Sequence, residues 1–415
     1  MIKKKIHIIG SGFSGLSLAC LLSETGLFDI TVFDKDSKTG GLIQSEITPL
    51  GLFEKAANSI LLNNDMLKFF NDFKIDFIKP QKTAKARYFY RNKLTRWPLN
   101  FFESVHFLIK IIFHLITFKK FLNPQPIQTL GDWATDKLTP AFNQYIFSPG
   151  LQGIYSVVNQ QLDAELFLND LLVHKKESKK YHGTVSGLTG TANILIQMTE
   201  FLKKNHVHFK LNTAYNFEFS DPQTIKIIAT SITDATALIE NSKLELTALC
   251  QLLKSVNTND VLTITAFTKK NKNTPQGFGC LIPDDQNINC LGVLFNSDIF
   301  ENRCLPELTS ETYIFGGNKA YSISQKSEID QISEIQQIRS LLFKNNDLIQ
   351  NIYHKFWEKG LPIYDQQVKN FQAQYKKLIP NKNIYLHGNY VAGIGLSKIM
   401  SHSYYLKNQI IKDHS

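Results

Sequence analysis

Lys5-Ile6-His7-Ile8-Ile9-Gly10-Ser11-Gly12-Phe13-Ser14-Gly15-Leu16 is the stretch on which the fold turns. An apolar run ends in G-x-G-x-x-G and passes into Leu16, Ala19 and Leu22 at helical spacing, with Gly26 as the stop. This order predicts a buried strand over Lys5 to Ile9, a tight turn and a helix. Gly10 makes the turn, Gly12 lets the backbone approach a pyrophosphate, and Gly15 lets helix and strand pack closely. The helix start at Phe13 and Ser14 then faces the phosphates with its N–H groups. A second strand, Ile30 to Phe33, ends on Asp34, which can accept hydrogen bonds from ribose hydroxyls, with Lys35 beside it. Nicotinamide and flavin enzymes share all of this, so the stretch points to a bound dinucleotide and an α/β fold without choosing between them.

Composition narrows the rest. The chain has 415 residues, 43% apolar and 20% charged, which is ordinary for a globular protein. At about 100–200 residues per domain, that length holds roughly two to four units, or one domain interrupted by others. The net charge is +10, but of 46 basic residues only five are Arg: Arg87, Arg91, Arg96, Arg303 and Arg339. Nucleic-acid binders rely on the forked contacts of Arg, so this balance argues against nucleic acid. The scattered Lys reads instead as solubility or attraction to an acidic membrane surface. Five cysteines without a C-x-x-C pair argue for thiols in a reducing compartment. His206 and His208 could share a strand face, but no further ligands surround them, and no metal is expected. HExxH, GxSxG and P-loop patterns do not occur. Lys3, Lys4 and Lys5 before an apolar run imitate a signal peptide. The glycine spacing and the lack of a small-x-small cleavage site favour a strand and a cytoplasmic protein.

Gly40-Gly41 follows Asp34, then Ile43-Gln44-Ser45, then Gly51-Leu52-Phe53-Glu54-Lys55-Ala56-Ala57-Asn58-Ser59. This run resembles the FAD-dependent amine oxidase superfamily and, within it, the protoporphyrinogen/coproporphyrinogen oxidases. Leu42 stands where that family has Lys or Arg, and Ala56 where it has Gly. The resemblance continues through Gly150 to Tyr155, Leu162-Asp163-Ala164, Gly187-Leu188, Val207 to Leu211 and Ile225 to Ala237. It includes Gly277-Phe278-Gly279-Cys280-Leu281-Ile282-Pro283, similar to a hairpin of porphyrinogen oxidases, and Trp357, Pro362 and Tyr364, with Ile363 in place of Gln. It ends with Leu386-His387-Gly388-Asn389-Tyr390-Val391-Ala392-Gly393-Ile394-Gly395-Leu396, similar to the family's Ala-Gly-Asn-Tyr-x-Gly-Gly segment. Physically this last run is a strand, a Gly-rich turn and a helix, whose N-terminus can stabilise negative charge.

The resemblance implies a Rossmann-like FAD-binding domain, a mixed α+β substrate domain and a helical insertion. The FAD-binding domain is expected to be discontinuous, over 1–62, 183–232 and 376–415, with the substrate domain over 63–95 and 233–375 and the insertion over 96–182. FAD would be held by Gly10, Gly12, Phe13, Ser14, Gly15, Asp34, Lys35, Gly40, Gly41 and Leu42, by Tyr215 at the adenine, and by Gly388, Asn389, Val391, Gly393 and Ile394. The implied reaction removes hydride from a tetrapyrrole, with dioxygen or another acceptor reoxidising the flavin. Protoporphyrinogen IX is the first expectation, with coproporphyrinogen III, or the substrate of another flavin amine oxidase-type enzyme, as the alternative. A colourless scaffold that binds FAD poorly is the rival that Leu42, Ala56 and Ile363 keep open.

On the substrate side, Asn58 matches a family Asn near the reacting carbon, and its other reading is a turn residue bonding its own backbone. Arg96, beside Trp97, is the expected cation for substrate carboxylates, which a guanidinium binds in forked geometry. The most apolar stretch, Phe101 to Leu122, is interrupted by His106, Lys110 and His114 and is too short in uncharged residues to span a bilayer. It reads as a core helix or as one lying on a membrane with Lys110, Lys119 and Lys120 at the headgroups. The resemblance favours the second, hence peripheral attachment at the cytoplasmic face. A homodimer is compatible with the sequence, which does not decide it.

Overall fold

A computed structural model describes residues 3–116, 123–172, 182–217, 221–242, 246–345, 347–379 and 383–414. Its first sheet is parallel throughout, in the spatial order Ile384–Leu386, Ile225–Ile228, Lys4–Ile9, Phe28–Phe33 and His208–Lys210. The chain thus fills one side of Lys4–Ile9 first and the other side later, and the switch falls between Lys4–Ile9 and Ile225–Ile228. Ligands of open α/β sheets bind at the carboxyl ends of strands at such a switch.

The Phe13–Ser23 helix is apolar on every side and buried from Phe13 to Leu22. That pattern suits a helix packed on both faces. It lies among the sheet, the Ala192–Lys204 helix and the C-terminal Leu396–His414 helix. The Asn64–Asp72 helix, capped by the Asn63 side chain on the Met66 N–H, joins the same core through Met66, Phe69 and Phe70.

A second, seven-stranded sheet runs Ile349–Pro362, Thr258–Lys269, Leu308–Gly316, Gly292–Leu294, Gly279–Leu281, Arg87–Tyr90 and Leu94–Thr95. It is antiparallel except where Gly279–Leu281 meets Arg87–Tyr90. One face is closed by the Glu328–Phe343 helix, whose Ile335, Ile338 and Leu342 meet Leu262, Ile264 and Phe315. Between the two sheets in sequence come helices Phe101–Ile116, Leu130–Lys137, Ser148–Tyr155 and Ala164–Leu172.

The sheets are joined by backbone and side-chain bonds. Lys55 offers its carbonyl oxygen to the Trp357 indole N–H (2.8 Å) and to the Thr263 hydroxyl (3.2 Å). The Leu52 N–H donates to the Arg303 carbonyl (2.9 Å), and the Tyr364 hydroxyl donates to the Asn389 carbonyl. Residues 52–59 are therefore pinned from the side of the second sheet.

Candidate functional site

At the switch point, the ends of three strands meet. A Cβ on Gly10 (φ +105°) would lie 2.6 Å from the Ala229 carbonyl oxygen, and one on Gly15 would lie 1.9 Å from the Gly10 carbonyl oxygen. These two glycines are demanded by the protein's own packing. Gly12 differs: a Cβ there would meet only the Gly41 Cα, at 3.8 Å. Its bareness leaves a groove that the chain does not fill. Gly12 forms a bridge with Gly40, and the Gly40 N–H donates to the Ser11 carbonyl (2.9 Å), so the segments 10–15 and 40–41 lie side by side. Asp34 is held at this edge by the Ser11 N–H (2.7 Å) and hydroxyl (2.5 Å) and by the Asp36 N–H (3.0 Å). A carboxylate has about four acceptor positions, so one is left for a ribose. The groove, the acid and the helix start at Phe13 and Ser14 fit a dinucleotide.

The other expected cofactor residues divide by position. Gly388, at the end of Ile384–Leu386, lies against Thr230, which follows Ile225–Ile228; a Cβ on it would be 3.5 Å from the Thr230 oxygen. Asn389 and Val391 fall in the short Asn389–Ala392 helix, and Gly393 (φ +117°) and Ile394 turn the chain into Leu396–His414. Tyr215 donates to or accepts from His7 Nδ1 (3.0 Å) and packs edge-on against Phe33. Lys35 is exposed, with its ammonium on Asp234 (2.6 Å), and Leu42 is exposed as well. The two glycine segments are tied through a buried polar chain. Ser17 bonds Ser403 (2.8 Å), Ser403 bonds His387 Nε2 (2.8 Å), and His387 Nδ1 faces His402 Nδ1 at 2.9 Å. Burial disfavours the charged form of both imidazoles, pulling the His402 pKa down to about 4 and depressing that of His387 as well.

Asn58 is half-buried, its side-chain N–H on the Ala56 carbonyl at 3.4 Å, and it lines a cavity beneath the second sheet. The same cavity contains Glu54, Asn296 and Arg303. Glu54 accepts from the Ser45 hydroxyl (2.6 Å) and the Thr191 N–H (2.8 Å), and burial pushes its carboxyl pKa up. Arg303 donates to the Ser186 hydroxyl (2.7 Å) and stands 3.9 Å from Glu54, with burial lowering its own pKa.

The five arginines separate clearly. Arg91 grips Glu103 with two N–H groups (2.7 and 3.0 Å), and Arg339 is buried on Glu311. Arg87 lies over the Phe278 ring at 4.2 Å. Arg96, the expected substrate cation, is exposed just beyond Leu94–Thr95 and is not among the residues that line the Asn58 cavity. Arg303 is the guanidinium there. Sequence reasoning passed over it because it stands alone in Asn302-Arg303-Cys304; its pairing with Glu54 joins residues far apart in the chain.

The family described as an NAD(P)-binding Rossmann-like domain matches residues 8–73. Protoporphyrinogen oxidase 2, chloroplastic/mitochondrial, of Arabidopsis thaliana is 21% identical, with 95% of this chain and 91% of that protein covered. A crystal structure from Exiguobacterium sp. 255-15, provisionally assigned as a protoporphyrinogen oxidase, aligns over 100% of both chains with a TM-score of 0.79 and 13% identity. Cyclohexylamine oxidase from Brevibacterium oxydans IH-35A aligns over 99% of both, with a TM-score of 0.73 and 11% identity. With its dinucleotide groove and two-sheet fold, the chain has the fold of the FAD-dependent amine oxidases and is similar over most of its length to a protoporphyrinogen oxidase.

Proposed function

We propose that the chain oxidises protoporphyrinogen IX to protoporphyrin IX in haem biosynthesis, with dioxygen as the final electron acceptor. The observation that carries this reading is the similarity to a protoporphyrinogen oxidase over 95% of the chain. The fold alone supports amine oxidation equally, since cyclohexylamine oxidase shares it. Coproporphyrinogen III remains the second substrate to test.

FAD, when bound, supplies the hydride acceptor. The chain's own residues bind and orient. Gly12, Gly15, Phe13, Ser14, Gly40 and Gly41 border the phosphates, Asp34 takes the ribose and Tyr215 the adenine edge. Gly388, Asn389, Val391, Gly393 and Ile394 line the ring, next to the second sheet through the Tyr364 bond to Asn389. Lys35, engaged by Asp234, serves through its backbone. Asn58 orients the macrocycle over the ring; its amide is too weak a base for proton removal by itself. The segments 1–62, 183–232 and 376–415 make up the cofactor domain in this reading.

The Phe101–Ile116 helix rests on a bilayer. Phe101, Phe102, Leu108, Ile109, Phe113 and Ile116 are more than half exposed, while Phe107 stacks on Phe142 inside. A contiguous apolar stripe of this kind marks an interaction surface. No helix among the described residues is long and apolar enough to cross a membrane, and Lys119 and Lys120 lie outside the described residues.

The test mixes FAD-loaded protein with each reduced porphyrinogen separately and follows porphyrin fluorescence against an enzyme-free control. Faster appearance with protoporphyrinogen IX supports the proposal, and faster appearance with coproporphyrinogen III moves the step. No acceleration with either returns the chain to the wider flavin oxidases.

A further inference from the structure

The helices that follow the two glycine segments, Phe13–Ser23 and Leu396–His414, pack together in an apolar core. A polar chain crosses it, from Ser17 to Ser403, Ser403 to His387 and His387 to His402, at 2.8, 2.8 and 2.9 Å. His387 is fully buried directly before Gly388, and His402 is the half-buried end of the chain, beside Tyr405. His387 stands where the segment it resembles has Ala, so the resemblance does not account for the pair.

Two imidazole nitrogens at 2.9 Å hold one proton between them. A further proton on His387 costs no hydrogen bond. Its Nδ1–H then donates to His402 Nδ1 and its Nε2–H to Ser403, whose own hydroxyl has the Ile399 carbonyl as acceptor (3.0 Å). Another is excluded, because two N–H groups would face each other across 2.9 Å. The pair therefore has room for one extra proton, and charge alone opposes it.

Burial disfavours the cation in both rings, Lys376 repels it at His402, and His402 repels it at His387. The other charged and titratable groups around the pair are engaged elsewhere. The Tyr405 hydroxyl accepts from Lys376 (3.0 Å), and Asp65 of the Asn64–Asp72 helix accepts from Ser401. Tyr385 is held by Asp413 and His414, and Lys226 donates to the Asp221 and Thr224 carbonyls. The Phe13–Ser23 helix carries no charged residue. No carboxylate among the described residues acts on either ring. The absent counter-charge is of the kind that the glycine segments are read to bind, since FAD carries a diphosphate. A negative charge nearby favours a protonated imidazole.

We propose that His387 and His402 together store one proton, taken from solvent through His402 when the negative charge of FAD settles between the glycine segments. The proton returns to solvent when FAD leaves, and only an N–H bond forms or breaks. The proposal rests on the FAD reading and adds that cofactor loading is proton-linked. The loaded protein holds more protons, so its affinity for FAD rises as pH falls.

The experiment titrates FAD into the apoprotein by calorimetry in two buffers of unlike ionisation heat, which counts the protons taken up. Wild-type protein is expected to take up part of one proton. It should bind FAD about threefold more tightly at about pH 5.5 than at about pH 7.5. His387→Gln with His402→Gln keeps hydrogen-bonding amides that cannot take a charge, so it should lose the uptake and flatten the pH dependence. Should that double variant fail to fold, Lys376→Gln removes the repelling charge from the surface and should move the uptake to higher pH. Uptake that persists in the double variant, or that Lys376→Gln leaves in place, would overturn the store. FAD binding by the wild type without uptake, or weaker binding in acid, would overturn it too while the FAD reading stands. No FAD binding at any pH would overturn both.

Discussion

At the residue scale, the three glycines of the first turn do different work, and substitution separates them. Gly15→Ala forces a Cβ to 1.9 Å from a carbonyl oxygen, so backbone must move. A loss of about 3 kcal/mol or more in apoprotein stability is expected. Gly12→Ala meets nothing closer than 3.8 Å in the protein. It should leave apoprotein melting within about 0.5 kcal/mol of wild type and weaken FAD binding at least tenfold; a variant with normal FAD affinity would remove the groove from the site. A second test concerns the buried histidine pair. His402 falls from its ordinary 6.5 to about 4 through burial, with Lys376 adding to the shift, and His387 is depressed for the same reason. The unfolded chain takes up these protons below about pH 6.5 and the folded one does not. Stability is therefore full above that pH and falls as pH drops towards about 4, by up to about 1.4 kcal/mol per unit for each histidine. Thermal melts across that range should show a shallower acid slope for His402→Gln; His7, also held near 4, keeps titrating in the variant. Parallel slopes would contradict the assignment.

At the element scale, the Phe101–Ile116 helix is the clearest departure from ordinary packing. An apolar residue costs little to leave in water singly, but a stripe from Phe101 to Ile116 exposes a continuous surface. Bilayer burial of one large apolar side chain contributes about 1.5–3 kcal/mol. Phe102→Asp with Ile109→Asp should thus reduce binding to anionic lipid vesicles at least tenfold with no loss of melting temperature. Equal sedimentation of variant and wild type with the vesicles would assign the stripe elsewhere. The sequence showed the helix's apolarity, but not its orientation. Position 107 and position 108 are both apolar, and only packing decides that Phe107 turns in to Phe142 while Leu108 turns out. Capped and periodic elements were legible for the opposite reason. Ser327 before Glu328–Phe343 caps its own helix on the Asp330 N–H, a local bond that leaves a local signal.

At the scale of the whole molecule, two sheets built from interleaved segments meet across residues 52–59. The parallel sheet was foreshadowed by the first turn, because strand, glycines, helix and Asp34 follow one another within 34 residues. The make-up of the Asn58 cavity was not. Arg96 stood out through clustering with Arg87 and Arg91, whereas Arg303 reaches Asn58 only through tertiary structure. Long-range ion pairs such as Arg303 with Glu54 leave no periodicity to detect. The function proposed here holds that a reduced tetrapyrrole delivers hydride to FAD at the junction of the sheets. Anaerobic mixing of FAD-loaded protein with protoporphyrinogen IX tests this most directly, with the flavin absorbance followed in a stopped-flow instrument. The expected result is bleaching of the oxidised flavin together with porphyrin formation, and return of colour when oxygen is admitted. Flavin that stays oxidised with both protoporphyrinogen IX and coproporphyrinogen III, yet is reduced by a simple amine, would contradict the account.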